Sequence, residues 1–219
     1  MIRRSALALC LLGCLLGCLL GCGSAVDTAP PEPAPEPIAT EVASLGGDPD
    51  ASLFHLEMAL QDQAARPFTL ASLRGHPVLV AFFYSSCTTM CPTLIADLHR
   101  LETSLSPAAR AELRVVLVSF DGERDTAERL AEVAAERHID LSRWVLVRGD
   151  EGEVRTLAAT LGMTYRRTRD GEFAHIALFS VLDGEGSVVL QRAGTGLDVT
   201  PLSMAVETLV HSSAANPPS

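Results

Sequence analysis

The side chains in this chain best suited to chemistry are two cysteines set close together, in Cys87-Thr88-Thr89-Met90-Cys91-Pro92. Pro92 biases Cys91 away from the helical region and itself fits a first helical turn, so a helix is expected to open here. Cys91 then stands at or next to the cap, where unpaired N–H groups and the helix dipole favour a thiolate. Three intervening residues let both sulfurs face one side. Two thiolates so placed chelate a soft metal ion or close into a disulfide.

The elements that must hold this pair follow from the apolar pattern. Residues 77–84 are almost wholly apolar, as a strand buried on both faces requires, and they end just before Cys87. Beyond Pro92, Leu94, Ile95, Leu98, Leu101 and Leu105 recur at helical spacing. Residues 114–119 read as a second buried strand, and Asp125-Thr126-Ala127-Glu128 as the capped start of a helix through His138. A strand over 143–147 and a helix over 152–161 come next. Strands over 174–182 and 187–191 are joined by the turn Asp183-Gly184-Glu185-Gly186. Thr200-Pro201 starts a last helix through Val210, and upstream residues 53–60 and 67–70 predict a hairpin. This order predicts an α/β domain of thioredoxin-like fold: a central mixed sheet flanked by helices, with an N-terminal β-hairpin extension. In such sheets sites form beyond the carboxyl ends of strands, which is where Cys87 falls.

Outside this body the composition changes. Six cysteines among 219 residues would ordinarily predict three disulfides in a secreted chain, but Cys10, Cys14, Cys18 and Cys22 all lie in the first 22 residues. Arg3 and Arg4 precede an uncharged apolar stretch over 6–20, the layout of a secretory signal. Leu-Leu-Gly-Cys occurs three times, ending at Cys14, Cys18 and Cys22, and resembles the bacterial lipobox, whose cysteine is lipidated and becomes the first mature residue. Cys22 uses the whole apolar stretch and is followed by Gly23-Ser24, so lipidation is expected there, with Cys18 second. Residues 1–21 are then a lipoprotein signal peptide. Residues 22–50, with Pro30, Pro31, Pro33, Pro35 and Pro37 among Ala and Glu, form a polyproline-like tether. The folded domain is 51–211, and 212–219 a frayed tail. The formal charge of −10 argues against nucleic-acid binding. It becomes 15 − 27 = −12 once Arg3 and Arg4 are removed. All 17 basic residues are Arg, which excludes Lys Schiff-base chemistry and a P-loop lysine.

Four segments together carry a resemblance: Val80-Ala-Phe-Phe-Tyr-Ser-Ser-Cys87-Thr-Thr-Met-Cys91-Pro92-Thr93, Val118-Ser-Phe-Asp121-Gly-Glu-Arg124-Asp125-Thr126, Phe173-Ala174-His175, and Asp183-Gly184-Glu185-Gly186. Over about residues 54–210 the chain resembles the Sco/SenC family, copper chaperones for the CuA centre of cytochrome c oxidase. The resemblance implies copper, Cu(I) or Cu(II), held by Cys87, Cys91 and His175. Soft thiolates select Cu(I), and imidazole also accommodates Cu(II). It places Asp121 and Asp125 near the site, behind the ligands or against a partner. It implies as partners the CuA-bearing oxidase subunit and another copper donor or thiol reductant, with the domain on the outer side of a bacterial membrane. The chain departs from the family pattern at Ile176, where a hydroxyl residue is usual, at Gly122 in place of Pro, and at Thr88-Thr89-Met90, which lacks an Asp. Met90 is expected to pack. His55, His76, His99 and His138 are expected on the surface or half-buried, as non-ligands.

A thiol-disulfide reductase acting on oxidase-subunit or other envelope thiols is the alternative. Such enzymes usually space their cysteines by two residues and set a cis-proline opposite them, whereas no proline lies between Pro107 and Pro201. A thiol peroxidase ranks third, because Tyr84 stands where Thr or Ser is wanted, three residues before Cys87.

Overall fold

In the computed structural model, which describes residues 52–169 and 171–215, the apolar runs become neighbouring strands of one sheet. Its strands are β1 (Leu60–Asp62), β2 (Pro67–Phe68), β3 (Val78–Phe83), β4 (Arg114–Ser119) and β5 (Trp144–Arg148), and, past a separate pair, β8 (Leu178–Leu182) and β9 (Val188–Ala193). The spatial order is β2-β1-β5-β4-β3-β8-β9. β3, β4 and β5 run parallel, while β8 and β1 flank them antiparallel, so the sheet is mixed as predicted. Every residue of β3 is buried, because helices cover the sheet and leave no solvated face at its centre. The carboxyl ends of the three parallel strands share one edge, and the loops leaving them carry the chemistry.

Helix α1 (Met90–Ser104) presents Cys91, Leu94, Ile95, Leu98 and Leu101 to the core, the face that the spacing predicts. It packs with α5 (Thr200–Ala215), which also meets α2 (Pro107–Glu112). α2 is one turn and a half begun by Ser106-Pro107. The Ser106 hydroxyl accepts the Ala109 N–H at 3.2 Å, capping a helix at residues for which the sequence reading gave no element. α3 (Ala127–Glu136) lies against β5, and α4 (Glu151–Thr160) follows it, capped by Asp150.

Several boundaries differ from the sequence reading. The hairpin strand begins at Leu60, not at Leu53: residues Leu53–His55 form a short 3-10 turn that buries Leu53 and Phe54, with the Ser52 hydroxyl accepting the Phe54 N–H. The cap of α3 is Thr126, whose hydroxyl accepts the Arg129 N–H; Asp125 points inward instead. The strand expected over 174–182 is two strands, β7 (Phe173–His175) and β8, broken at Ile176-Ala177. β7 pairs with β6 (Tyr165–Arg167) in a separate two-stranded sheet, with His175 opposite Tyr165, whereas β8 pairs with β3. The polar sequence of β6 gave no strand signal. α5 continues to Ala215, past Ser212, where the sequence reading ended the folded domain. The signal, Cys22 and the tether lie outside the described residues. Among the described residues no helix is long and apolar enough to cross a membrane.

Candidate metal centre

Cys87 and Cys91 are free, buried thiols at the carboxyl end of β3. α1 opens at Met90 with no side-chain cap from Thr89, so the first-turn N–H groups have no helical acceptor. Pro92 removes one of those donors at no cost to the helix. The Cys91 N–H satisfies itself on the Cys87 sulfur, N to Sγ 3.3 Å. The consequence reverses the expectation for the thiolate. Burial opposes ionisation of Cys87, but hydrogen bonds from Cys91 and Thr89 and from the Tyr84 side chain outweigh it and hold its pKa below the ordinary thiol value. Cys91 goes the other way. Burial pushes its thiol far up; a backbone contact at Tyr84 opposes this, and the Cys87 sulfur and the Asp125 carboxylate add to it.

The acidic pair predicted near the site divides into two roles. Asp125 is wholly buried under the cysteine loop. Its Oδ2 accepts the Ser85 N–H at 3.0 Å and the Ser119 hydroxyl at 2.5 Å, which pins that loop to the end of β4. Its Oδ1 has no hydrogen-bond partner among the described residues. Asp121 is also buried, and it pairs with Arg124 and, at 3.2 Å, with Arg167 of β6. It thereby fastens the β6–β7 sheet, which carries His175, to the loop after β4.

His175 ends β7, half-buried among aromatic rings: its centroid lies 4.8 Å from Phe120 and 6.0 Å from Tyr84, both edge-on. Burial lowers its pKa against a hydrogen bond to the Ile176 carbonyl, so the imidazole is neutral near pH 7. Among the described residues no three His, Cys, Asp or Glu side chains gather closely enough to hold a metal ion. The structure thus brings Cys87 and Cys91 together and places His175 against Tyr84 and Phe120. Tyr84 links the two parts. Its ring meets His175, and its hydroxyl donates to Glu172 at 2.8 Å while lying near enough to the Cys87 side chain for the two to influence one another's ionisation. Burial, Glu172 and Cys87 all push the Tyr84 phenol up, so it remains a donor. Sequence reasoning used Tyr84 only against a peroxidase and passed over Glu172. The one available signal was Tyr84's place at the end of the strand leading to Cys87.

The remaining histidines are elsewhere. His76 meets Glu112 at 3.0 Å, and His99 stacks on Trp144 with its Nε2 against the Arg137 carbonyl. His55 belongs to the 3-10 turn, His138 adopts φ +54° just past α3, and His211 lies on α5 against the Glu207 carbonyl. Met90 packs against the core as expected, and Ile176, beside His175, is exposed.

The donor set suits a soft ion: two sulfurs, one of them readily ionised, with a neutral imidazole on the adjoining sheet. Fold and site define the class, a thioredoxin-like protein with a Cys-x-x-x-Cys centre at the end of its first parallel strand. The family model SCO1/SenC matches residues 47–210, and the chain belongs to that family. A Stutzerimonas stutzeri protein named for copper binding is 32% identical over 74 residues, 34% of this chain and 36% of its own length. The SCO1 protein homologue of Bacillus subtilis is 26% identical over 144 residues, 64% of this chain and 73% of its own. The match thus spans little over a third of the first relative and nearly three quarters of the second. Among solved structures, a SCO1/SenC family lipoprotein of Bacillus anthracis superposes with TM-score 0.65 at 20% identity, covering 72% of this chain and 95% of that one. Arabidopsis thaliana ScoI with copper bound gives 0.62 at 21%, covering 71% and 96%. BsSco, described as a Sco-family cytochrome c oxidase assembly protein with a disulfide switch, gives 0.63 at 21%, covering 80% and 96%. These likenesses show the thioredoxin-like fold.

Proposed function

We propose that this protein binds one copper ion through Cys87, Cys91 and His175 and passes it to the CuA-bearing subunit of a cytochrome c oxidase. The observation that carries the reading is the free, buried Cys87–Cys91 pair, with a neutral His175 on the far side of Tyr84, in a family with a copper-bound solved member. Cys87 offers the readier thiolate. Cys91 stays protonated until an arriving cation displaces its proton, so loading releases protons and strengthens as pH rises. His175 needs no deprotonation near neutral pH, but it must leave its packing on Tyr84 to join the sulfurs. Ligand exchange then proceeds as acceptor thiolates replace the cysteines one at a time, with exposed Ile176 at the rim of the approach.

Cargo is copper rather than a tightly resident cofactor in this reading. Lipid at Cys22 anchors the chain to the bacterial envelope, and residues 22–50 hold the domain off the membrane on its extracytoplasmic side. Titration of the reduced protein with Cu(I) is the test. One ion per chain is expected, lost in Cys87→Ser and Cys91→Ser and weakened at least tenfold in His175→Ala. Unchanged affinity in His175→Ala overturns the three-ligand set.

One feature favours a second reading, thiol-disulfide exchange on envelope thiols: the lowered Cys87 and the raised, more deeply buried Cys91 form a nucleophile and a resolving partner. The Cys87 thiolate attacks a substrate disulfide and releases one substrate thiolate. Cys91 then attacks the Cys87 sulfur, releases the other and leaves a Cys87–Cys91 disulfide, so two electrons pass to the substrate. Rapid metal-free insulin reduction that survives His175→Ala supports this reading.

A further inference from the structure

Tyr84 directly follows β3 and is buried, 4% exposed. Its side chain meets three of the four residues that end in His175. The hydroxyl donates to the Glu172 carboxylate at 2.8 Å, and the ring lies edge-on to Phe173 at 5.1 Å and to His175 at 6.0 Å. Two bends bound this segment: Gly171 at φ +83°, and the break at Ile176-Ala177 between β7 and β8. A short strand between two such points can shift as one piece, with the bends absorbing the change in backbone angles.

The other polar ties act elsewhere. Asp121 holds Arg167 of β6, and Arg124 donates to the Gly171 carbonyl at 3.0 Å, so these fasten β6 and the turn to the loop after β4. Phe120 touches Phe173 and His175 only through its ring, a contact that tolerates sliding. The Tyr84–Glu172 bond is directional, and it runs from the strand that leads to the cysteines to the strand that carries the imidazole. Cys87 and Cys91 border one small cavity, whereas His175 borders a separate one with Arg166 and Ile176. The imidazole therefore rests away from the sulfurs. Opening the segment strips a buried phenol of its acceptor, which costs more than losing a surface hydrogen bond. Glu172 itself is exposed, so water recovers part of that loss.

We propose that Tyr84 and Glu172 are positioning residues for His175, whose hydrogen bond keeps the imidazole in its aromatic seat and sets how often it is free to join copper. On the reading of Cys87, Cys91 and His175 as the ligand set, a copper ion at the sulfurs gains its third donor only in the open molecules. Apparent affinity is then reduced in proportion to the open fraction.

The test is the Cu(I) affinity of the reduced protein, measured by competition with a chromogenic chelator. Tyr84→Phe keeps the ring and removes the hydroxyl. Glu172→Ala removes the acceptor and leaves the phenol unsatisfied in the closed form, and Glu172→Gln keeps an accepting oxygen. Tyr84→Phe is expected to bind copper about threefold more tightly than wild type and Glu172→Ala about tenfold, with Glu172→Gln nearest to wild type. Neither gain is expected in the His175→Ala background. Equal changes in both backgrounds point to packing or to Cys87 and overturn the proposal, as does unchanged or weakened affinity in both breaking variants. A second readout needs no metal. The His175 ring-proton resonances, displaced by the neighbouring rings, are expected to move toward unshifted values in metal-free Glu172→Ala. Resonances that coincide with those of wild type overturn the proposal whether or not His175 binds copper. Resonances that move, with copper affinity indifferent to His175→Ala, place the failure in the ligand set and not in the hold on His175.

Discussion

Replacing Asp125 by alanine tests whether one buried carboxylate holds the cysteine loop in place. Oδ2 accepts two hydrogen bonds, from the Ser85 N–H and the Ser119 hydroxyl, and the residue is wholly buried. Alanine orphans both donors, at about 1–3 kcal/mol each. Removing a buried charge whose Oδ1 lacks a partner offsets part of that loss, so the net destabilisation is about 2–4 kcal/mol. Asparagine keeps an oxygen for the same two donors and sheds the charge, so Asp125→Asn is expected to cost about 1 kcal/mol or less. Urea unfolding of the reduced protein reads the difference as a fall in midpoint at constant slope. Ser119→Ala supplies the other corner of a double-mutant cycle, with about 1 kcal/mol or more of coupling to Asp125 expected. The local consequence is separate: both Asp125 variants remove a negative charge that disfavours the Cys91 thiolate, so Cys91 alkylates faster at a given pH. A cost under about 1 kcal/mol for alanine, or asparagine as damaging as alanine, refutes this anchoring role of Asp125.

Two further outcomes follow from the same geometry. Iodoacetamide alkylation of single-cysteine variants is expected to rise at a lower pH for Cys87, measured in Cys91→Ser, than for Cys91, measured in Cys87→Ser; coincident profiles, or the reverse order, refute the assignment. At the β1–β2 hairpin, burial of Asp62 opposes its charge, but hydrogen bonds from the Arg66 and Ala64 backbones and the Arg66 side chain win and lower its pKa. Its contribution is therefore complete above the unfolded-state value near pH 4 and lost as pH falls through the lower folded value. Asp62→Asn is expected to be less stable than wild type at pH 7, with the gap closing below about pH 4; a gap independent of pH refutes the linkage.

The parts of this protein legible in its sequence were those set by local chemistry. A fully buried strand must be apolar along its whole length, so β3 and β4 announced themselves. α1 showed its buried face through Leu94, Leu98 and Leu101, and Pro92 located its first turn. The cysteine pair was visible because both residues sit on one short loop between those elements. Hidden features depended on partners distant in the chain. β6, Tyr-Arg-Arg, is a strand only because Phe173–His175 pairs with it, and Asp125 gave up the expected capping role because Ser85 and Ser119 meet it in the interior. Which thiol ionises first was likewise undecided by spacing. The N–H of Cys91 at the opened helix stabilises Cys87, while burial and a carboxylate 34 positions away in sequence hold Cys91 protonated. The sequence by itself determined the fold class and the two sulfurs, since periodicity and proline placement act within a few residues. Only the tertiary structure decided their unequal acidity and the aromatic seat of His175, because fields, burial and ring contacts arise between segments that the chain order keeps apart.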